Sequence, residues 1–160
     1  MASWKTVLGL ILSGFGVAAS LSSFVFLFFG NYHAAIWALI SGLLAAVDFH
    51  LYYLHWRNNL VAWHNLNTLK DFQILAIVGM VFGIAASIWY IFYFIYYNLP
   101  ILPVPDSYQI AAVWSFMTAK WGLGLYLTSR HLISELEHDY PQLLPSPSYS
   151  RNVDYIIRVL

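Results

Sequence analysis

The sequence predicts an all-α, polytopic membrane protein of four transmembrane helices with both termini in the cytosol, and three observations carry that reading. Only 9% of the 160 residues are charged, against about 25% in soluble domains, so a water-soluble fold would have little with which to dress its surface. The shortage is concentrated: residues 6–47 contain no Asp, Glu, Lys or Arg, and neither do residues 72–105. The cations then fall in alternate connections. Lys5 precedes the first run, Arg57 and Lys70 stand in the middle loop, and Arg130, Arg151 and Arg158 follow the last. By the positive-inside rule those segments are cytosolic.

Four spans follow in order, over about 7–29, 34–55, 72–97 and 108–129. At about 1.5 Å per residue each is long enough for a hydrocarbon core of about 30 Å. The first begins like a signal peptide, with Lys5, an apolar run and the small patch Ala18-Ala19-Ser20. Its apolar stretch continues through Phe24, Phe26, Phe28 and Phe29, longer than a signal core, and a retained helix is expected. Gly30–His33 is a tight uncharged turn. Trp56–Asp71 is a polar loop holding His64 and four Asn, and Leu99–Ser107 is broken by Pro100, Pro103 and Pro105. Residues 1–131 form the membrane domain and 132–160 a cytosolic tail interrupted by Pro141, Pro145 and Pro147. Small residues repeat every fourth position at Gly79, Gly83 and Ser87 in span three and at Gly14, Ala18 and Ser22 in span one. Such stripes let helices approach closely in lipid, within the chain or between subunits. Four short helices leave little room for a ligand path, which points to a homo-oligomer.

Composition excludes other classes. Seven basic residues balance seven acidic ones, which leaves no footprint for nucleic acid. The absence of cysteine removes disulfides, thiolate metal sites and covalent c-type haem attachment. Neither a phosphate-binding loop, nor HExxH, nor GxSxG is present, so no enzyme is expected and no stably bound cofactor. Paired intramembrane histidines at two depths, as a dihaem cytochrome requires, are missing too.

Polar groups inside spans are the informative ones, because each charge costs at least about 2.5–3.5 kcal/mol at mid-membrane. Asp48 and Lys120 are expected at similar depth, and an intramembrane pair between them would act as structural glue or in moving a ligand or proton. Helical spacing puts Asp48, Tyr52 and His55 on one face of span two and His50, Tyr53 and Arg57 on another. The second face offers an imidazole, a phenol and a guanidinium in descending order toward the cytosol. Imidazole and phenolate are both iron ligands, although a lone intramembrane histidine also serves as a hydrogen-bonding link between helices. In the tail, Asp139, Tyr140, Leu143 and Leu144 compose overlapping acidic-dileucine and tyrosine-based sorting signals readable by clathrin adaptors; the same leucines also suit packing on the membrane surface.

Span four adds a resemblance. Ser107-Tyr108, Val113-Trp114-Ser115-Phe116 and Lys120-Trp121 resemble the fourth span of the haem-responsive gene (HRG) family of small four-helix haem permeases. His50-Leu51-Tyr52-Tyr53 followed by Trp56-Arg57 is similar to its second span, and Val78–Phe82 to its third. The resemblance implies haem as transported substrate, carried into the cytosol from an endosomal or lysosomal lumen or across the plasma membrane. It maps the family's second-span histidine onto His50 as a haem-iron ligand, with Tyr53 nearby. Lys120, Arg57 and Arg130 then meet propionates. The family's histidine between spans three and four has no counterpart in Leu99–Ser107, and Tyr96, Tyr97 or Tyr108 takes the outer role. Its aromatic-basic motif after span four is echoed by Tyr126 and Arg130-His131. The competing expectation is a non-transporting four-span adaptor or trafficking protein.

Overall fold

The structure is a computed structural model that describes residues 4–100 and 107–139. Its described residues are helical: α1 (Trp4–Phe28), α2 (Tyr32–Trp56), a one-turn α3 (Leu60–Trp63), α4 (Leu66–Tyr96) and α5 (Tyr108–Asp139). The long helices alternate up and down. Contacts run α1 on α2, α2 on α5 and α5 on α4, so α2 and α5 form the centre and α1 and α4 flank them. The parallel pairing of α2 with α5 is fixed by cross-links in matching order, Asn31 to Ser107, Trp37 to Thr118 and Tyr52 to Thr128.

One end of the bundle carries Lys5, His55, Arg57, Lys70 and Arg130, and is called the basic end below. The opposite, aromatic end carries His33, Tyr90, Tyr93 and Tyr108.

Packing is inverted relative to a soluble protein. Large apolar side chains point outward, among them Phe15, Phe26, Phe29, Phe82 and Val25, while the interior is built from Ala34, Ala35, Ala38, Ala45, Ala76, Ala111 and Ala119 with Ser13, Ser20, Ser41 and Ser115. Small buried residues bring helix backbones together where lipid supplies no hydrophobic drive, and an apolar exterior suits the hydrocarbon. Three helices, α1, α2 and α4, are long and apolar enough to cross a membrane. The sequence predicted four such segments. The fourth, α5, is as long, but its apolar stretch carries Lys120 besides the buried Ser115 and Thr118, and these lower its hydropathy.

Local chemistry explains the boundaries. Asn31 caps α2, its Oδ1 accepting from the Ala34 amide at 3.0 Å, while its Nδ2 donates to the Ser107 carbonyl at 2.7 Å. Asn65 caps α4 by accepting from Thr68 N at 2.8 Å, so this helix starts six residues before the apolar run that marked it in the sequence. Just beyond the ends of α2 and α4, Asn58 (φ 53°) and Asn98 (φ 49°) take left-handed backbone, which asparagine tolerates better than most residues. α5 continues through Asp139, past the expected start of the tail at 132, because Leu132, Ile133 and Leu136 remain buried in the core.

Small-residue stripes behave differently in the two helices. Gly83 faces α5 and Gly79 faces Leu44 of α2, with Ser87 Oγ donating to the Ala112 carbonyl at 3.3 Å; this stripe packs within the chain. In α1 the inward residues are Thr6, Ser13, Gly16 and Ser20, whereas Ala18 and Ser22 are exposed. That corrects the predicted Gly14–Ala18–Ser22 face. The rotation of α1 is set by rings from its neighbours, since Gly9 leaves room for Tyr52 and Gly16 for Trp121.

Candidate functional site

At the aromatic end, His33 in the first turn of α2 meets two helices that are distant in sequence. Its ring lies 5.7 Å from Tyr108 of α5 and 6.0 Å from Tyr90 of α4. Tyr93 stands 4.7 Å from Tyr108 and 4.6 Å from Tyr97. Tyr90 is held in place by the Trp37 indole, whose Nε1 donates to its hydroxyl at 3.2 Å, and that hydroxyl is 3.4 Å from His33 Nδ1. The Asn31–Ser107 bond pins the starts of α2 and α5 and thereby sets the His33–Tyr108 spacing. The result is an open cluster of one imidazole and several phenols, able to offer flat apolar faces and iron-ligating atoms together. Tyr108 is one of the three tyrosines, with Tyr96 and Tyr97, that the resemblance offered for the outer role. In the sequence His33 was only the end of the Gly30–His33 turn, because 75 positions separate it from Tyr108 and no periodicity links them.

Toward the basic end, His50 on α2 faces the α3–α4 connection. Its ring is 5.4 Å from His64, with planes at 82°, and 6.3 Å from Trp63. His64 in turn sits 5.4 Å from Phe72 of α4. The His64 Nε2 atom is buried with no hydrogen-bond partner. Burial first, and the neighbouring His50 second, hold the His64 imidazole below its ordinary value of 6.5, which favours the neutral, ligating form. In the sequence His64 passed as one more polar loop residue; its only signal was a histidine beside a capping asparagine at the start of an apolar helix. Tyr53 and Arg57 share the His50 side of α2, as the helical spacing predicted, and both are exposed.

The other face of α2 turns toward α1 and α5. Here Tyr52 and His55 line a cavity of about 470 Å³ with Lys5, Thr6, Gly124, Thr128, His131 and Glu135. Glu135 joins two histidines, with His55 Nδ1 at 3.6 Å and His131 Nε2 at 3.4 Å. Asp48 lies deeper, only 3% exposed, with Thr128 as its hydrogen-bonding neighbour and Oδ1 unpartnered.

The structure does not bring Asp48 and Lys120 together. Lys120 is exposed on the outer face of α5, its Nζ 4.3 Å from the centroid of the Trp121 ring, while Ser115 and Ala119 lie against Gly83 of α4. Asp48 instead lies level with Gly124 and Thr128, one to two helix turns beyond Lys120, and α5 is rotated so that Gly124 and Thr128, not Lys120, face α2. Arg130 and His131 are exposed near the basic end. Among the described residues no group of three or more His, Cys, Asp or Glu is arranged to hold a metal ion. Of the tail signal, Tyr140, Leu143 and Leu144 lie outside the described residues, and Asp139 is the last residue of α5.

The segment that supplies Tyr90, Tyr93, Tyr108 and Lys120 decides the family comparison. Residues 69–121 match the HRG family, described as haem-transporter, endosomal/lysosomal, haem-responsive gene. The HRG match runs from Leu69 in α4 to Trp121 in α5, which takes in the closely packed α4–α5 pair and most of the aromatic end. It stops short of α2, so His33, His50 and His64 are outside it. No curated protein and no solved structure matches the chain at a significant level.

Proposed function

We propose that the protein transports haem across a membrane into the cytosol, and the observation that carries this reading is the HRG match over α4 and α5. Haem is a flat apolar macrocycle with an iron that accepts imidazole or phenolate and with two anionic propionates. The bundle offers matching groups at both ends: the His33–Tyr108 cluster on one side, and His50 with its aromatic neighbours toward the other. Haem is then cargo, held at each station weakly enough to leave, and neither a resident cofactor nor a reactant.

In this reading all four long helices span the bilayer, α5 included, and the basic end is cytosolic. Tyr108 with His33 receives haem on the outer or luminal side. His50 ligates the iron in transit, with Tyr53 beside it, and Lys120, Arg57, Arg130 and His131 draw the propionates toward the cytosol. Lys120 is suited to this by its exposure, since a cation on the outer face of a membrane helix calls for an anion or a second subunit against it; a homo-oligomer would provide the latter. The membrane is endosomal or lysosomal, with cycling to the plasma membrane directed by Asp139, Tyr140, Leu143 and Leu144 through clathrin adaptors.

Growth of a haem-auxotrophic yeast at limiting external haem tests the reading, comparing wild type with His50→Ala at matched expression. Rescue by wild type and not by His50→Ala is the expected result. Rescue by both retains haem transport and removes His50 from its path. No rescue from well-expressed, surface-located protein overturns the transport reading.

A further inference from the structure

The His50 face contains a second imidazole that neither the sequence motifs nor the family match assigns. His64 sits between the end of α3 and the Asn65 cap of α4, on extended backbone (φ −132°, ψ 134°), and its amide donates to the Leu60 carbonyl at 2.9 Å. That single turn folds the connection back over α2 and sets the His64 ring against His50 across 14 residues of sequence. Trp63 and Phe72 flank the pair on either side. The His64 Nε2 atom is buried and makes no hydrogen bond. A buried polar atom without a partner costs about 1–3 kcal/mol unless something compensates it, and such an atom in a native fold calls for an explanation. A ligand supplied from outside the chain is one that also accounts for the aromatic walls.

We propose that His64 is the second axial ligand of a two-histidine haem-iron site, opposite His50. The inference rests on haem being the cargo and adds a residue and a coordination number to it. His50 is fixed on a rigid helix, whereas His64 lies outside regular helix, so the pair can part to admit the iron without disturbing α2 or α4. The two rings stand perpendicular at 82°, and with His64 Nε2 making no hydrogen bond no existing bond has to break for that nitrogen to meet an iron. Trp63 and Phe72 then lie beside the macrocycle, where aromatic faces are favourable. The site is close to the basic end, so a haem held there is positioned for release on that side.

The test is ferric haem added to the purified full-length protein in detergent, followed by absorption and electron paramagnetic resonance spectra. Wild type is expected to give a six-coordinate, low-spin haem. His64→Ala is expected to convert it to a high-spin species, and added imidazole to restore the low-spin spectrum, which a merely structural role of His64 would not allow. Helical content by circular dichroism shows that the variant is folded. A low-spin spectrum unchanged in folded His64→Ala overturns the assignment while leaving haem binding intact. No haem-dependent spectrum from wild type overturns the haem reading itself.

Discussion

Gly83 of α4 and Ala119 of α5 meet backbone to backbone: a Cβ built on Gly83 would lie 2.6 Å from the Ala119 amide nitrogen and 2.7 Å from the Ser115 carbonyl oxygen. One turn away the relation is reciprocal, and a Cβ on Gly122 would lie 2.7 Å from Met80 N and 2.8 Å from Ala76 O. No flexible side chain is available to yield at either place. Gly83→Ala and Gly122→Ala are each expected to destabilise the bundle by about 1–3 kcal/mol, the usual range for overpacking. Gly30→Ala, where nothing stands within 4 Å, is the control expected to unfold like wild type. Thermal unfolding in one detergent compares the three, and an unshifted Gly83→Ala midpoint would refute the close contact.

Asn31 holds the aromatic end together through one amide group. Its oxygen caps α2 and its nitrogen reaches the Ser107 carbonyl at the start of α5, and both residues are almost fully buried. Asn31→Ala removes the cap and leaves a buried carbonyl unpaired, for an expected loss of about 1–3 kcal/mol. Asn31→Asp keeps the acceptor and loses the donor, so it should be no less damaging. Because the same bond spaces His33 from Tyr108, haem uptake should fall in Asn31→Ala even at a temperature where the variant remains folded. Uptake per folded molecule, compared with wild type, is the deciding quantity.

Acidification acts on His64 with a definite sign. Its folded-state value lies below the ordinary 6.5, by burial and then by His50, so the folded protein binds fewer protons there than the unfolded chain does. Stability contributed by this group therefore rises with pH. No penalty is present above about 6.5; it begins as pH falls through that value and is complete below the folded one. A pH series of unfolding midpoints should fall on acidification, and His64→Asn should flatten part of that slope. His50→Ala removes the smaller of the two causes, so the His64 resonance followed by NMR should titrate at higher pH in that variant. A downward movement would contradict the proximity of the two rings.

How much of this was legible in the sequence depended on range. Charge-free runs and helical spacing are local, and they located α1, α2 and α4 and separated the Asp48–Tyr52–His55 face of α2 from the His50–Tyr53–Arg57 face. The structure turns the first toward the cavity and the second toward α3 and α4. Rotation of one helix against another is not local. Gly14, Ala18 and Ser22 made as good a stripe as Thr6, Ser13, Gly16 and Ser20, and only the Tyr52 and Trp121 rings, which lie against Gly9 and Gly16, choose between them. The same blindness made Asp48 and Lys120 look like partners on the strength of depth. His33 and His64 were passed over because their neighbours come from other helices or from a turn, α3, too short to announce itself in periodicity.

Asp48 and Lys120 supply the sharpest check on that rotation. Asp48 is buried beneath Thr128 and Gly124, and Lys120 stands exposed over Trp121. If they were paired, removing either partner would leave a buried charge uncompensated, at a cost of about 3–5 kcal/mol. As placed, Lys120→Met should change stability by no more than about 0.5 kcal/mol. Asp48→Asn, which removes a buried charge that has no cation partner among the described residues, should unfold at the same temperature or higher. The double variant should be additive to within about 0.3–0.5 kcal/mol. Haem uptake should separate the two residues again: Lys120→Met weakens it by withdrawing a cation from the outer face of α5, with no loss of folded protein. A large coupling energy in the double-mutant cycle would mean that α5 is turned the other way, with Lys120 inside.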